Sequence, residues 1–146
     1  MRAKNMMQLE FISKSSNEGM ARIAVAGFAA QLDPTLEEIG DIKTAVSEAV
    51  TNAIVHAYPD AIGKIRIKAR IYEGQILEIT VQDWGVGIEN IEKAREPMYT
   101  TGGEERSGMG FTIMESFMDV LKVRSQRGKG TTVSMKRKIN VRSEMR

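Results

Sequence analysis

The sequence predicts an α+β fold, a two-layer α/β sandwich in which helices cover one face of a mixed, mostly antiparallel sheet. Stretches that alternate between apolar and polar residues occur near the N-terminus and again in the second half of the chain, which is typical of half-buried strands. Two long segments with helical periodicity lie between them. The resulting order is β-α-α-β-β-loop-α-β-β, and it favours helices packed on one face of the sheet.

The N-terminal elements follow from this alternation and from two candidate helix starts. Residues 7–12 alternate as a strand. Residues 15–18 have the pattern of a capping box, which predicts a helix that continues to Leu32. Because that helix is built almost entirely of apolar and small residues, we expect it to be largely buried.

The second helix is the longest predicted element. Asp33-Pro34 interrupts the chain, and residues 35–38 form a second capping-box pattern. The helix then extends to about Tyr58, where Pro59 prevents its continuation. Its apolar stripe has a spacing of three and four residues and comprises Ile39, Ile42, Val46, Ala49, Val50, Ala53 and Ala57.

The C-terminal half predicts two strand pairs separated by a loop. Residues 64–71 and 77–81 alternate around a turn at Glu73-Gly74. Residues 88–107 lack apolar periodicity, so we expect a mobile loop with a short helix at 91–95. A helix from 110 to about 121 and a hairpin of residues 120–125 and 131–138 complete the chain. Neither a repeat nor a linker is visible, which predicts a single domain over residues 1–146.

Composition excludes several classes of function. The chain has 21 basic and 19 acidic residues, and a net charge of +2 does not indicate direct binding of nucleic acid. It has no cysteine, so disulfides, thiolate metal sites and cysteine nucleophiles are excluded. Its single histidine excludes a metal site built from several histidines. The absence of a long apolar run or a signal-peptide pattern predicts a cytoplasmic protein without membrane attachment.

The most informative residues are Glu48 and Asn52. Their i, i+4 spacing places an acid and a carboxamide on one side of the second helix, opposite its apolar stripe. An asparagine oxygen can coordinate Mg²⁺, and a glutamate can orient and deprotonate an attacking hydroxyl. Two polar residues on a solvated helix face are the structural alternative.

Two glycine-rich segments follow the helix. Asp83-x-Gly85-x-Gly87 ends a strand, and its aspartate could accept a hydrogen bond from an exocyclic amine such as that of adenine. Gly108-Met109-Gly110 precedes a helix whose N-terminal amides would suit a phosphate. Each pattern alone is equally consistent with an ordinary glycine turn.

Four charged or titratable residues remain open to two interpretations. Arg106 could stabilise charge on a terminal phosphate, although a lone arginine is usually a surface residue. Glu18 and Arg22 are either a buried ion pair or a contact for a protein partner. His56 lies among the candidate binding residues, and we expect it to pack or to donate a hydrogen bond.

Taken in order, these motifs resemble those of the GHKL ATP-binding family, which includes gyrase B, Hsp90, histidine kinases and MutL. Glu48-x-x-x-Asn52 resembles its N-box, residues 83–87 its first glycine box and residues 107–110 its second. Residues 46–54 and 105–119 are more specific and resemble the anti-sigma serine kinases of spore-forming bacteria. The resemblance covers essentially the whole chain.

The resemblance implies a Bergerat fold that binds Mg²⁺ with ATP or ADP. It implies a homodimer that holds a sporulation sigma factor inactive and phosphorylates a serine of an anti-anti-sigma protein. Glu48 would be the general base, Asn52 the Mg²⁺ ligand, Asp83 the adenine reader and Arg106 the γ-phosphate contact. Further nucleotide contacts would come from Gly85, Gly87, Thr100, Thr101, Ser107, Gly108, Met109, Gly110 and Thr131, and partner contacts from Glu18 and Arg22.

Two alternatives remain at this point. An ATP-gated module without catalysis would not need an acid at Glu48, and a histidine-kinase catalytic domain would serve a separate phospho-accepting helix. One departure from the family pattern lies in the loop of residues 100–106, where Gly102-Gly103 replaces an expected Lys-Pro pair.

Overall fold

The computed structural model describes residues 2–96 and 109–140. The helices and strands of these residues, in chain order, are β1 (Asn5–Ile12), α1 (Asn17–Ala29), α2 (Leu36–Asn52), β2 (Lys64–Tyr72), β3 (Ile76–Asp83), α3 (Ile91–Ala94), α4 (Gly110–Phe117), β4 (Val120–Gln126) and β5 (Gly130–Lys138). A 3₁₀ turn over Ala30–Leu32 follows α1, and a π-helical turn over Ala53–Ala57 extends α2.

The described strands form one sheet in the order β1-β2-β3-β5-β4, which confirms the predicted two-layer sandwich. Every strand pairing in the described ranges is antiparallel, whereas the sequence prediction allowed a mixed sheet. The reason is that α1 and α2 return the chain to the end at which β1 finishes. Ile12, the last residue of β1, is therefore paired with Lys64, the first residue of β2.

The core lies between one face of this sheet and the helices. From the sheet it receives Ile65 and Ile67 of β2, both with no exposed surface, and from α2 it receives the equally buried Ile42, Val46 and Val50. Burying one such side chain stabilises a fold by about 1.5–3 kcal/mol. The apolar stripe predicted for this helix is thus its core-facing side, and α2 is held in one rotational setting.

The start of α2 is fixed by the predicted capping box. The Thr35 hydroxyl accepts a hydrogen bond from the Glu38 amide at 3.1 Å, and the Glu38 carboxylate accepts one from the Thr35 amide at 2.9 Å. Burial alone would raise the pKa of Glu38. The amides of Thr35 and Asn140, the Thr35 hydroxyl and the charge of Arg137 outweigh that effect, so the pKa of Glu38 is lowered.

Helix α1 differs from its prediction in two ways. Its N-cap is Ser16 without a side-chain capping bond, so residues 15–18 do not form a capping box. The Glu18 carboxylate is engaged elsewhere, since it accepts a hydrogen bond from the Ser47 hydroxyl of α2 at 2.8 Å. The helix is also not largely buried, because Met20 and Ile23 are 42% and 64% exposed.

Helix α4 is shorter than predicted. It ends at Phe117 rather than near residue 121, and Met118 has extended backbone angles. The Asp119 amide already donates to the Lys136 carbonyl at 2.8 Å, which starts the pairing of β4 with β5. Arg137 of β5 donates to the Phe117 carbonyl at 2.9 Å and so satisfies the exposed helix end.

Candidate functional site, a cavity between the central helix and the glycine turns

A cavity of about 640 Å³ opens between α2, the ends of β3 and β5, and the short helix α3. This volume falls within the range of small-molecule sites. Its walls are mainly apolar, and its polar lining residues include Asn52 of α2 and Asp83 of β3. The residues that line it include Asn52, Ala53, His56, Val81, Asp83, Ile88, Asn90, Lys93, Gly110, Phe111, Thr131 and Val133.

Asp83, predicted as a base reader, is the buried acid of this cavity. Its side chain is 7% exposed. One carboxylate oxygen, Oδ1, accepts hydrogen bonds from the Gly85 amide at 2.9 Å and the Thr131 amide at 3.1 Å. Burial raises the pKa of Asp83, and these two amides offset only part of that effect. Because Oδ1 already has two donors, Oδ2 is the oxygen available to a ligand.

The predicted glycines Gly85 and Gly87 are required by close backbone contacts. A Cβ at Gly85 would lie 2.2 Å from the Ala57 carbonyl oxygen, and one at Gly87 would lie 2.4 Å from that of Gln126. Gly87 also has φ of +80°. The turn after β3 therefore packs closely between the end of the π-helical turn and the β4–β5 hairpin. A side chain at either glycine would displace this turn.

Thr131, also a predicted contact, lies beside Asp83 at the start of β5. Its side chain is buried, and its hydroxyl is 2.8 Å from that of Ser125. Ser125 in turn accepts a hydrogen bond from the Ile88 amide at 2.6 Å. The Ser125 hydroxyl thus links the two strands of the β4–β5 hairpin to the segment after the glycine turn. The sequence analysis did not assign a role to Ser125.

Glu48 and Asn52 meet the start of α4. A Cβ at Gly110 would lie 3.1 Å from both amide atoms of Asn52 and 3.3 Å from Oε2 of Glu48. Of this pair, Asn52 lines the cavity, whereas Glu48 lines a neighbouring groove between α1 and α2. The two side chains therefore lie together at the boundary between two concave surfaces. This position favours a site over the alternative that they are only polar residues on a solvated helix face.

The groove beside Glu48 contains the predicted partner contacts. It has a volume of about 680 Å³ and is lined by Glu18, Arg22, Ile23, Gly40, Lys43, Thr44, Ser47, Glu48 and Thr51. Arg22 lies 3.8 Å from the Glu18 carboxylate, and its side chain is 41% exposed. The exposure excludes the buried ion pair that was the alternative for these two residues.

Five of the predicted site residues fall outside the part of the chain that the structure describes. Thr100, Thr101, Arg106, Ser107 and Gly108 lie outside the described residues, as does the departure at Gly102-Gly103. Met109 is described and occupies the N-cap position of α4.

Sequence reasoning did not identify the apolar walls of the cavity or its lysine. Val81 and Val133 are paired across β3 and β5, and both line the cavity together with Ala53. Lys93 of α3 also lines it, and this short helix is capped by the Asn90 side chain. Alternation predicted that Val81 faces inward, but it could not distinguish a cavity wall from the core.

The described side chains can hold a magnesium nucleotide without a dedicated metal cage. No group of three or more histidine or acidic side chains is clustered within residues 2–96 and 109–140. Mg²⁺ characteristically takes one or two protein oxygens together with substrate phosphates and water. The single amide oxygen of Asn52 fits that requirement, and the Asp83 carboxylate fits the amine of a base.

Comparison with known proteins shows the family of the chain. Residues 14–137 match the family model of the histidine kinase-like ATPase domain. The chain is 61% identical over 138 residues to an anti-sigma F factor of Clostridium perfringens strain SM101, covering 93% of this chain and 98% of that protein. It is 61% identical over 136 residues to one from Caldanaerobacter subterraneus subsp. tengcongensis, covering 92% and 94%.

Solved structures share the fold. The RsbU and RsbW domains of a Mycobacterium tuberculosis protein superpose with a TM-score of 0.67 at 18% identity, covering 93% of this chain and 32% of that one. The histidine kinase domain of an Erythrobacter litoralis blue-light activated kinase gives 0.59 at 24% identity, covering 88% and 64%.

The fold and the cavity thus define a nucleotide-binding domain of the GHKL class. The near full-length matches make the assignment more specific: the chain belongs to the histidine kinase-like ATPase family, in the branch that contains the anti-sigma F factors. Among the described residues, no helix is long and apolar enough to cross a membrane.

Proposed function

We propose that the cavity binds ATP with Mg²⁺, and that Asp83 recognises the base while Asn52 recognises the phosphates through the metal. Asp83 would accept a hydrogen bond from the adenine amine through Oδ2, because Oδ1 is occupied by the Gly85 and Thr131 amides. Asn52 would coordinate the metal beside Gly110. Bound Mg²⁺ supplies neutralisation of charge on the phosphate oxygens. Gly85, Gly87, Met109, Gly110 and Thr131 would shape the cavity around the nucleotide.

The proposed reaction is phosphate transfer to a serine of a protein substrate. Glu48 would act as general base, taking the proton of the serine hydroxyl as that oxygen attacks the γ-phosphorus. The bond between the γ-phosphorus and the bridging oxygen of the β-phosphate would break, and ADP would leave with that oxygen. Support comes from the position of Glu48, which lines the open groove while Asn52, one turn away, lines the cavity. A substrate serine could thus approach from the groove without displacing the nucleotide. Arg106, Ser107, Gly108, Thr100 and Thr101 are proposed contacts on sequence grounds alone.

The proposed biological role is that of an anti-sigma factor acting in the cytoplasm. The relatives at 61% identity are named anti-sigma F factors, which supports binding of a sporulation sigma factor of the sigma-F type. The serine substrate would be an anti-anti-sigma protein. The partly exposed groove residues Glu18 and Arg22 would contact these partners. A homodimer is also proposed. Within residues 2–96 and 109–140, β1 is an edge strand of the sheet, and an edge strand is able to pair with a strand of a second molecule.

The observation that carries this proposal is the contact of Gly110 with both Glu48 and Asn52 at the boundary of cavity and groove. The test is a pull-down from sporulating cells of the source organism, performed with the purified protein and either ATP or ADP. Mass spectrometry would identify the captured proteins and any phosphoserine that forms after Mg-ATP is added. We expect a sigma factor, a small serine-phosphorylated protein, and a nucleotide-dependent difference between the two samples.

Glu48→Gln separates catalysis from binding. It preserves the shape of the side chain, so nucleotide and partner capture should remain, while loss of a general base should lower the rate by about 10²–10⁴-fold. Transfer at the parent rate by this variant would remove Glu48 as the base. Capture of a sigma factor with no phosphorylated protein in any sample would favour an ATP-gated binding module instead.

A further inference from the structure

Tyr58 lies where the π-helical turn after α2 ends, and it is linked to the turn that carries Asp83. Its hydroxyl accepts a hydrogen bond from the Trp84 amide at 2.7 Å and donates one to the Lys64 carbonyl at 2.7 Å. One hydroxyl thus joins the end of the central helix both to the start of β2 and to the residue after Asp83. Among the described residues that line the cavity, Tyr58 does not occur.

The turn after β3 is held by consecutive amides that each have a different acceptor. The Trp84 amide donates to Tyr58, the Gly85 amide to Asp83 at 2.9 Å, and the Val86 amide to the Ala57 carbonyl at 3.0 Å. Two of these acceptors, Ala57 and Tyr58, are adjacent at the end of the π-helical turn. The position of Asp83 relative to α2 is therefore set from that helix end.

The Tyr58 ring is held in place by packing against a glycine. A Cβ at Gly63 would lie 2.2 Å from ring atom Cε1, so the ring packs directly on the Gly63 backbone. Gly63 is itself held by the buried Ser13, whose hydroxyl accepts its amide hydrogen bond at 2.9 Å. Burial raises the pKa of Tyr58, and the negative charge of Asp83 adds to that rise against the Trp84 amide. The phenol therefore stays protonated, and only the protonated hydroxyl can both donate to Lys64 and accept from Trp84.

We propose that Tyr58 is a positioning residue for base recognition, holding the Trp84 amide so that Asp83 presents Oδ2 to the base at a fixed distance from Asn52. The inference rests on the proposed binding of ATP. It adds that adenine selectivity depends on a tyrosine outside the cavity. A purely structural hydrogen bond would affect stability, whereas a positioning role must affect the choice of base.

The test compares two nucleotides and two variants by calorimetry with Mg²⁺. ATP and inosine triphosphate differ at the base position where ATP carries the exocyclic amine. Tyr58→Phe removes only the hydroxyl, and loss of one positioned hydrogen bond should reduce the preference for ATP by about three- to tenfold. Tyr72→Phe is the matched control, since its hydroxyl donates to Glu78 at 3.0 Å on the opposite sheet face. We expect the control to keep the parent preference.

Gly63→Ala provides a second route to the same displacement. This substitution retains the Tyr58 hydroxyl, but the added methyl group displaces the ring from the Gly63 backbone. It should therefore also weaken the preference for ATP. Melting curves confirm that each variant is folded before binding is measured. A parent preference retained in both Tyr58→Phe and Gly63→Ala overturns the inference alone, whatever the change in melting temperature. A parent protein that binds neither nucleotide overturns the proposed function together with this inference.

Discussion

Replacement of Asp83 by asparagine should separate the stability of this fold from its affinity for nucleotide. Asparagine keeps an oxygen at the Oδ1 position, so the amides of Gly85 and Thr131 retain their acceptor. It replaces Oδ2 by an NH₂ group, which would face the adenine amine as a second donor. Loss of a hydrogen bond to a charged group costs about 1.5–3 kcal/mol, or about a 10- to 150-fold increase in the Kd for ATP.

The same substitution should not lower the unfolding free energy at neutral pH. Burial raises the pKa of Asp83 above its ordinary value of 3.8, so the folded protein holds this carboxylate in its charged form at a cost. In the interval between 3.8 and the raised value, the folded state binds more protons than the unfolded state. Stability from this group therefore decreases as pH rises through that interval and stays reduced above it. Asparagine has no such titration.

Chemical denaturation of the parent and Asp83→Asn proteins from pH 4 to pH 7, without nucleotide, measures this difference. We expect the stability of the variant relative to the parent to increase with pH, while calorimetry with Mg-ATP shows the weaker binding. A variant that is less stable than the parent at pH 7 by more than about 1 kcal/mol, the net value of one ordinary hydrogen bond, would refute the reasoning. That result would mean that the hydrogen bonds from the Gly85 and Thr131 amides need the negative charge of the Asp83 carboxylate.

Three further substitutions test the arrangement around α2. Gly110→Ala places a methyl group 3.1 Å from the Asn52 amide and 3.3 Å from Glu48; we expect phosphate transfer to fall about tenfold or more, with melting temperature unchanged or higher. Arg22→Ala should weaken capture of protein partners while it changes the unfolding free energy by less than about 1 kcal/mol; Lys4→Ala, which removes another exposed ion pair, should leave capture intact. Thr35→Ala should cost about 1 kcal/mol of stability with an unchanged Kd for ATP, and a changed Kd would mean that the helix start reaches the site.

The elements that local patterns specify were predictable from the sequence. The Thr35–Glu38 capping box, the strand alternation of residues 64–71 and the glycine turn after Asp83 each depend on residues a few positions apart. The errors arose where distant residues compete with a local pattern. Glu18 bonds to Ser47 rather than capping α1, and β4 pairing ends α4 at Phe117.

The candidate site was predictable as residue types but not as an arrangement. Its motif residues were identified from spacing, yet the Asp83–Thr131 bond joins positions 48 residues apart. The contact of Gly110 with Glu48 and Asn52 likewise depends on how α4 packs on α2, which no short-range pattern encodes. The division of the concave surface into a cavity and a groove follows from that packing.

The core, rather than a ligand, fixes the orientation of Glu48 and Asn52. Val46, Ala49 and Val50 interleave with them along α2 and are buried against the sheet and the neighbouring helices. Rotation of α2 by one residue, about 100°, would expose these side chains and carry Glu48 towards the core, where an unpaired charge costs several kcal/mol. The helix therefore holds the acid and the amide at the boundary of cavity and groove whether or not nucleotide is bound, and the geometry that we assign to catalysis is present before any ligand arrives.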